Sequence, residues 1–197
     1  PALAPSGIRF VSVEHRGCSQ KCEEEAALVK QIYRSLLGQQ FRDREGGLHP
    51  VKPDNILVVA PYNLQVHLLK SELPSGARVG TVDKFQGQEA EVVLVSMTTS
   101  SAEDLPRDIG FLYSKNRLNV AVSRARSLAV VVANPSLLEI PCRTVEQMQL
   151  VNTLCWAAAV GHASGNKEPD VWLRSWESRL DFTLPSAPAG FIVCRMM

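Results

Sequence analysis

Two long apolar runs constrain the fold of this chain more than any other feature. They are E-V-V-L-V-S-M at Glu91–Met97 and L-A-V-V-V-A at Leu128–Ala133. Neither run alternates polar with apolar residues, which indicates strands covered on both faces, as in a parallel α/β sheet. A polar signature directly precedes each run: G-T-V-D-K-F-Q-G-Q-E-A at Gly80–Ala90 and N-R-L-N-V-A-V-S-R-A-R at Asn116–Arg126. Because ligands bind at strand ends in such sheets, the two signatures predict a binding site.

The rest of the chain alternates predicted strands and helices, as α/β proteins do. Strands are predicted at Ile8–Val13, Ile56–Ala60 and Ala77–Gly80, helices at Glu23–Leu37, from Pro61 to Glu72 and at Thr144–Ala159, and a loop at Phe41–Asn55. The acids that open the first helix suit a helix N-terminus. Beyond Gly161 the composition becomes linker-like, so residues 1–161 form one predicted domain and residues 162–197 an extension of unknown role.

The second signature predicts a helix over Asn116–Ala125. Its apolar residues recur at helical spacing and form one stripe, made of Leu118, Ala121, Val122 and Ala125. Arg117 and Arg124 are seven residues apart and project together from the edge of that stripe. Two guanidinium groups so placed suit a phosphate or carboxylate. The alternative is a helix with two arginines in ordinary surface ion pairs.

The first signature combines a glycine with a set of hydrogen-bonding side chains. Gly87 allows a ligand to approach the backbone closely. Glu89 is an acceptor suited to a ribose hydroxyl, and the other polar residues are Thr81, Asp83, Lys84 and Gln86. Taken alone, this stretch is equally compatible with a solvated turn.

Together the two signatures resemble motifs V and VI of superfamily 1 helicases, in the 5′-to-3′ branch that includes the nonsense-decay RNA helicase. The resemblance extends from about Ile8 to Gly161, and Asn55–Ala159 looks most like bacterial proteins that join a RecB-like nuclease to such a helicase. It implies an α/β, RecA-like fold of the P-loop NTPase type, with a mostly parallel sheet sandwiched by helices. The chain resembles the second motor domain of such an enzyme.

The resemblance also implies residue roles. Arg124 matches the arginine finger that reaches the γ-phosphate of ATP. The implied nucleotide-binding residues are Gly87, Glu89, Gln86, Arg117 and Tyr62, and those implied to contact nucleic acid are Thr81, Asp83, Lys84, Thr98 and Thr99. Relatives often carry histidine at the position of Asp83, so a direct phosphate contact there is disfavoured. For Tyr62, a buried ring with a satisfied hydroxyl is an equal alternative to a nucleotide contact. For Arg117 and Arg126, a structural ion pair is an equal alternative to a functional role.

The sequence lacks G-x-x-x-x-G-K-[ST] and an acidic D-E-x-x box after a hydrophobic strand. The resemblance therefore implies that a first RecA-like domain holds most of the ATP and Mg²⁺, that the domain is truncated at its N-terminus, and that the isolated chain is inactive. Expected partners are that first domain, single-stranded nucleic acid (DNA rather than RNA) and a nuclease domain of the same protein. A non-catalytic RecA-like module is the alternative, whereas the missing phosphate loop argues against a standalone nucleotide-binding enzyme.

Composition adds limits to this prediction. A net charge of +1 means that contacts with nucleic acid must be local. No apolar run approaches the ~20 residues of a membrane span, and no signal peptide is evident, so we expect a cytoplasmic protein. Five cysteines without a repeating pattern do not form a disulfide framework. Cys18 and Cys22 lie near His15, but structural zinc needs four ligands, so the sequence disfavours a metal site there.

Overall fold

A parallel sheet forms the centre of the domain. The computed structural model describes residues 7–43, 45–85, 87–106, 109–112 and 121–163. The five strands described in this sheet are β1 (Gly7–Ser12), β4 (Ile56–Val59), β5 (Arg78–Gly80), β6 (Ala90–Ser96) and β7 (Ala125–Ala133), and they lie in the order β1-β7-β6-β4-β5. The two apolar runs form the adjacent central strands β6 and β7, and the α/β RecA-like fold expected from the sequence is confirmed.

Helices cover both faces of this sheet. Those described are α1 (Glu23–Leu36), α2 (Asn63–Glu72), α3 (Ile109–Leu112) and α4 (Val145–Ala163), with short 3-10 helices at Pro53–Asn55, Asp83–Phe85 and Pro135–Leu138. Successive strand residues enter opposite cores: Val92 and Leu94 pack with the α1 and α2 side, and Val93 and Val95 with the α3 and α4 side. This two-sided burial is why the runs show no polar alternation.

Two predicted elements differ from the structure. Phe41–Asn55, predicted as a loop, contains an antiparallel hairpin of β2 (Gln40–Arg42) and β3 (Leu48–Pro50). Its turn is held by Asp43, whose carboxylate accepts hydrogen bonds from the backbone N–H groups of Glu45 and Gly47. Strands of three residues are too short to show a hydrophobic period, which is why they could not be predicted from the sequence.

The predicted helix over Asn116–Ala125 also ends earlier than expected. Residues 113–120 lie outside the described part of the chain, residues 121–123 are helical, and Ala125 is already in β7. The helix stops before Ala125 because Ala125 pairs with Ala90 at the start of β6, and a residue that joins the sheet must have an extended backbone. Arg124 thus occupies the junction between a helix and a strand.

The final helix α4 runs to Ala163, two residues past the predicted domain boundary, and residues 164–197 lie outside the described part. None of the described helices combines the length and the apolar character that crossing a membrane requires.

Candidate functional site

The two signatures meet at the amino ends of β6 and β7. The loop of residues 81–89 leaves the carboxyl end of β5 and enters β6 from its amino end. There the backbone N–H of Ala90 donates to the carbonyl of Arg124 over 3.0 Å. The last residue of the first signature is therefore bonded directly to the second signature.

Arg124 anchors this meeting point. Its side chain is buried, and Nη1 donates to the backbone carbonyls of Phe85 and of Gln88, the latter over 3.1 Å. Among the described residues no carboxylate pairs with this guanidinium, and its Nε is buried without a hydrogen-bond partner. Within the described residues, Arg124 is therefore a cation whose hydrogen-bond partners are neutral oxygens of the signature loop.

Gly87 lies between those two carbonyls in the chain and is exposed. Its φ of +77° is in the left-handed region, which favours glycine, and a Cβ at this position would meet no atom within 4 Å. Glycine is thus required by the backbone conformation, while the space in front of it is open. Gln86 and Arg117, also predicted to contact the nucleotide, lie outside the described residues.

Glu89 is half exposed and pairs with Arg126, whose Nε lies 3.0 Å from its carboxylate. Arg126 also reaches Glu91 at 3.4 Å. The hydrogen bond that Arg126 donates to Glu89, and then the negative charge of Glu91, raise the pKa of Arg126 above its usual value. For Arg126 the geometry favours the ion-pair alternative, and Glu89 can meet a ribose hydroxyl only with the oxygen lone pairs that Arg126 leaves free.

A cleft of about 490 Å³ opens beside this ion pair, between the hairpin and the amino ends of β6 and β7. Its lining is mixed in charge and consists of Phe41, Arg42, Asp43, Glu45, Glu89, Glu91, Arg126 and Ser127. The cleft combines donors, acceptors and one aromatic face, a composition that suits a polar ring-containing ligand.

The residues predicted to contact nucleic acid fall into two groups. Thr81, Asp83 and Lys84 follow the carboxyl end of β5, where Thr81 is half-buried and the other two are exposed. The Lys84 ammonium lies 5.8 Å from the ring centroid of Phe85. These three side chains are accessible to a strand passing over that end of the sheet.

Thr98 and Thr99 are buried, by contrast, just past the carboxyl end of β6. The hydroxyl of Thr99 donates to the carbonyl of Ser19 over 2.9 Å, and that of Thr98 lies 3.5 Å from the carbonyl of Ser96. Both hydroxyls are directed into the protein, so the side chains are unavailable to nucleic acid in this conformation. Tyr62 is likewise buried, with its ring stacked at 5.6 Å on that of Phe111, which favours the buried-ring alternative.

A buried polar network around Glu25 was not foreseen from the sequence. The Glu25 carboxylate is fully buried and accepts from Ser96 Oγ at 2.5 Å and from the backbone N–H of Thr98 at 2.8 Å. His15 Nε2 lies 3.2 Å from its other oxygen. The N–H bond also supports the φ of 73° at Thr98, a conformation rare for a β-branched residue. Glu25 thus ties α1 to the end of β6.

Gln65 belongs to the same network. Its amide is fully buried, bonds the backbone N–H and carbonyl of Cys22, and donates to Ser96 Oγ over 3.1 Å. The sequence offered only a weak signal for this cluster, because an acid in the first turn of a helix is ordinary.

Three features define the class as a RecA-like α/β domain. They are the parallel sheet, its two helical layers and the signature junction, where Arg124 bonds the loop that contains Gly87. Comparison with known proteins gives the family: the pattern of AAA domains matches residues 10–136, and the chain belongs to that family.

Similar proteins include "Putative helicase mov-10-B.2" of Danio rerio, 37% identical over 126 residues, which are 56% of this chain and 12% of that protein. "Probable RNA helicase armi" of Drosophila melanogaster is 40% identical over 98 residues, 46% of this chain and 8% of that protein. "DNA-binding protein SMUBP-2" of Mus musculus is 40% identical over 87 residues, 43% of this chain and 8% of that protein. The resemblance to superfamily 1 helicases is confirmed at the level of a helicase-like domain, and the chain spans only a small part of these relatives.

Proposed function

We propose that this chain is the second motor domain of an ATP-dependent superfamily 1 helicase or translocase that moves on single-stranded nucleic acid. In this proposal a first RecA-like domain makes most of the contacts to ATP and Mg²⁺. Arg124 completes the site by reaching the γ-phosphate, with Gly87, Gln86, Arg117 and Glu89 nearby. The isolated chain then lacks the phosphate loop and hydrolyses no ATP.

The environment of Arg124 carries this proposal. Its guanidinium is held by the carbonyls of Phe85 and Gln88, on either side of Gly87 in the loop, and has no carboxylate partner among the described residues. A phosphate carries a full negative charge and pairs with a guanidinium through two parallel hydrogen bonds, so it competes well with neutral carbonyls for this cation. A structural arginine more commonly pairs with a carboxylate, as Arg126 does with Glu89.

The opposite end of the sheet supports the nucleic-acid half of the proposal. Thr81, Asp83 and Lys84 lie in the loop that also contains Gly87, so one short segment reaches from the proposed strand-binding surface to the proposed nucleotide. Closure of two motor domains on ATP then shifts this loop and the strand together. The Thr98 and Thr99 hydroxyls are bonded to the carbonyls of Ser96 and Ser19 in the interior, so direct contact of these side chains with nucleic acid requires a rearrangement.

The kind of nucleic acid is part of the proposal. DNA is our predicted substrate, and RNA is the alternative raised by the printed name of the Drosophila relative. A fused RecB-like nuclease and a role in DNA repair are further parts of the proposal that rest on the sequence resemblance, and a cytoplasmic location remains an expectation from the sequence composition.

The decisive experiment is ATPase activity stimulated by single strands, measured on a protein that contains both motor domains. We expect Arg124→Ala to lower turnover by about 10³-fold or more while nucleotide binding is largely retained. Arg124→Lys keeps the charge but loses the planar fork, and we expect it to restore little turnover. Arg143→Ala, which removes an exposed arginine, is the matched control.

Thermal melting of each variant separates loss of catalysis from loss of folding. A folded Arg124→Ala protein with normal turnover would refute the finger role. Nucleic-acid binding by the wild type without any ATP hydrolysis would favour the non-catalytic module instead. DNA and RNA strands of the same sequence, compared in the same assay, decide the substrate.

A further inference from the structure

A loop at the carboxyl end of the sheet, remote from the signature junction, gathers three metal-ligating side chains. The ligand atoms of His15, Cys18 and Cys22 all lie within 4.8 Å of one another. The sequence disfavoured a metal here because a fourth ligand was not evident. The structure supplies one: a carboxylate oxygen of Glu24 lies 3.4 Å from the sulfur of Cys22 and 3.8 Å from that of Cys18.

We propose that His15, Cys18, Cys22 and Glu24 form a four-coordinate site for Zn²⁺. Two thiolates, an imidazole and a carboxylate are ligands that Zn²⁺ takes in proteins. Ligand bonds of about 2.0–2.3 Å at tetrahedral angles place ligand atoms roughly 3.3–3.8 Å apart. The ligand atoms of His15, Cys18 and Cys22 lie at most 4.8 Å apart, so rotation of the two cysteine side chains has to close a gap of about 1–1.5 Å.

The backbone of this loop is already fixed in place. Cys18 exchanges two hydrogen bonds with Ser100, from its N–H to the hydroxyl and from the Ser100 N–H to its carbonyl, both at 2.9 Å. Cys22 bonds Gln65 through both its N–H and its carbonyl. Gly17, with φ of +70°, makes the left-handed turn between His15 and Cys18. A metal would therefore bind a loop whose ordering cost has been met by folding.

His15 also has the hydrogen-bond partners that orient a metal-binding histidine. Its Nδ1 lies 2.7 Å from Ser100 Oγ, and its Nε2 lies 3.2 Å from Glu25. Whichever nitrogen binds the metal, the other keeps a hydroxyl or a carboxylate to receive its proton, as metal-binding histidines usually do. The buried Glu25 carboxylate has no lysine or arginine partner in the described part of the chain, and a cation bound to His15 would compensate its charge.

Binding would link the start of α1 to the loop that follows β1, and that loop is bonded to Ser100 beyond β6. Cys22 and Glu24 lie at the start of α1, whereas His15 and Cys18 lie in the preceding loop and contact Ser100. The proposed ion thus acts as a structural clamp on the carboxyl edge of the sheet. The clamp does not depend on the proposed motor function.

Titration of the reduced chain with Co²⁺ and then Zn²⁺ tests this site. We expect one Co²⁺ per chain, with thiolate charge-transfer bands and the visible bands of tetrahedral cobalt, displaced by one Zn²⁺. Cys18→Ser removes a half-exposed ligand and should weaken Zn²⁺ binding at least as much as loss of an outer-shell partner does, by about 10–100-fold. Cys155→Ser is the control, since its thiol is buried elsewhere and donates to a backbone carbonyl.

Three results would overturn the site. The first is no stoichiometric binding by the fully reduced, folded chain. The second is equal Zn²⁺ affinity in Cys18→Ser and the wild type. The third is that the reduced cysteine pair does not bind Zn²⁺ but is oxidised by glutathione disulfide to a Cys18–Cys22 disulfide, which mass spectrometry detects as a loss of two hydrogens. That third outcome would make the cluster a redox pair instead. Melting of Cys18→Ser in chelator confirms that any loss of binding is not loss of folding.

Discussion

Replacing Glu25 by alanine should destabilise this domain more than any neighbouring substitution in α1. The carboxylate is fully buried and accepts from the Ser96 hydroxyl, the Thr98 N–H and His15. Alanine leaves the hydroxyl and the N–H without acceptors in a buried site, and each such group costs about 1–3 kcal/mol. The cavity adds to this cost. We expect a total of about 3–5 kcal/mol, a large part of the ~5–15 kcal/mol that holds a domain together.

The substitution Glu25→Gln removes the negative charge of the side chain but keeps an oxygen that can accept hydrogen bonds. The amide oxygen can take the position that accepts from Ser96 and Thr98. The amide N–H then faces His15 Nε2, which accepts it if the ring proton is on Nδ1, 2.7 Å from Ser100 Oγ. Every bond of the network survives this change. The expected cost is therefore no more than about 1.5 kcal/mol, the net value of one hydrogen bond.

Urea unfolding in the presence of a metal chelator measures both changes. With a slope of about 1.5–2 kcal/mol/M, Glu25→Ala should lower the midpoint by roughly 2–3 M. Glu23→Ala, an exposed acid in the same helical turn, is the control and should leave the midpoint near that of the wild type. The reasoning fails if Glu25→Ala behaves like Glu23→Ala, or if Glu25→Gln costs as much as Glu25→Ala. Should Glu25→Ala not fold at all, Glu25→Gln still tests the network.

Two further predictions concern the signature junction. Gly87→Ala should cost about 1–2 kcal/mol of unfolding free energy, because its φ of +77° is strained for any residue with a Cβ although the space around it is open; an unchanged urea midpoint would contradict the backbone argument. Arg126→Ala removes exposed ion pairs to Glu89 and Glu91, so we expect no measurable change in the thermal midpoint at physiological salt. A clear drop would mean that the pairs hold the start of β6 in place.

The strands were predictable from the sequence because burial on both faces leaves a direct trace. Val92–Val95 and Leu128–Ala133 are continuous apolar runs since successive residues enter two different cores. The hairpin of β2 and β3 left no such trace, because its strands have three residues each and one partner each. The elements that could be predicted from the sequence are therefore those whose residues are buried on both faces.

The same distinction explains the outcome at the site. Gly87 and Arg124 were identifiable because each has a property that its neighbours cannot supply, freedom at positive φ in one and a forked cation in the other. Glu25 was not, because Glu23, Glu24 and Glu25 fit a helix N-terminus equally well. What distinguishes Glu25 is a set of partners at Ser96 and Thr98, more than seventy residues away. Only the folded chain brings those positions together.

Strand β6 joins the two halves of the domain in one rigid element. Its first residue, Ala90, is bonded to Arg124, and its last, Ser96, is bonded to Glu25 about 20 Å away, given ~3.3 Å per residue. Parallel ladders to β4 and β7 hold it on both sides, so it cannot slide without breaking them. In the proposed motor, a force applied at Arg124 therefore moves the sheet as a body, and the segment beyond Ser96 moves with it. The loop that contains Gly87 lies outside those ladders, so in the proposed motor it can respond to bound nucleotide without breaking them.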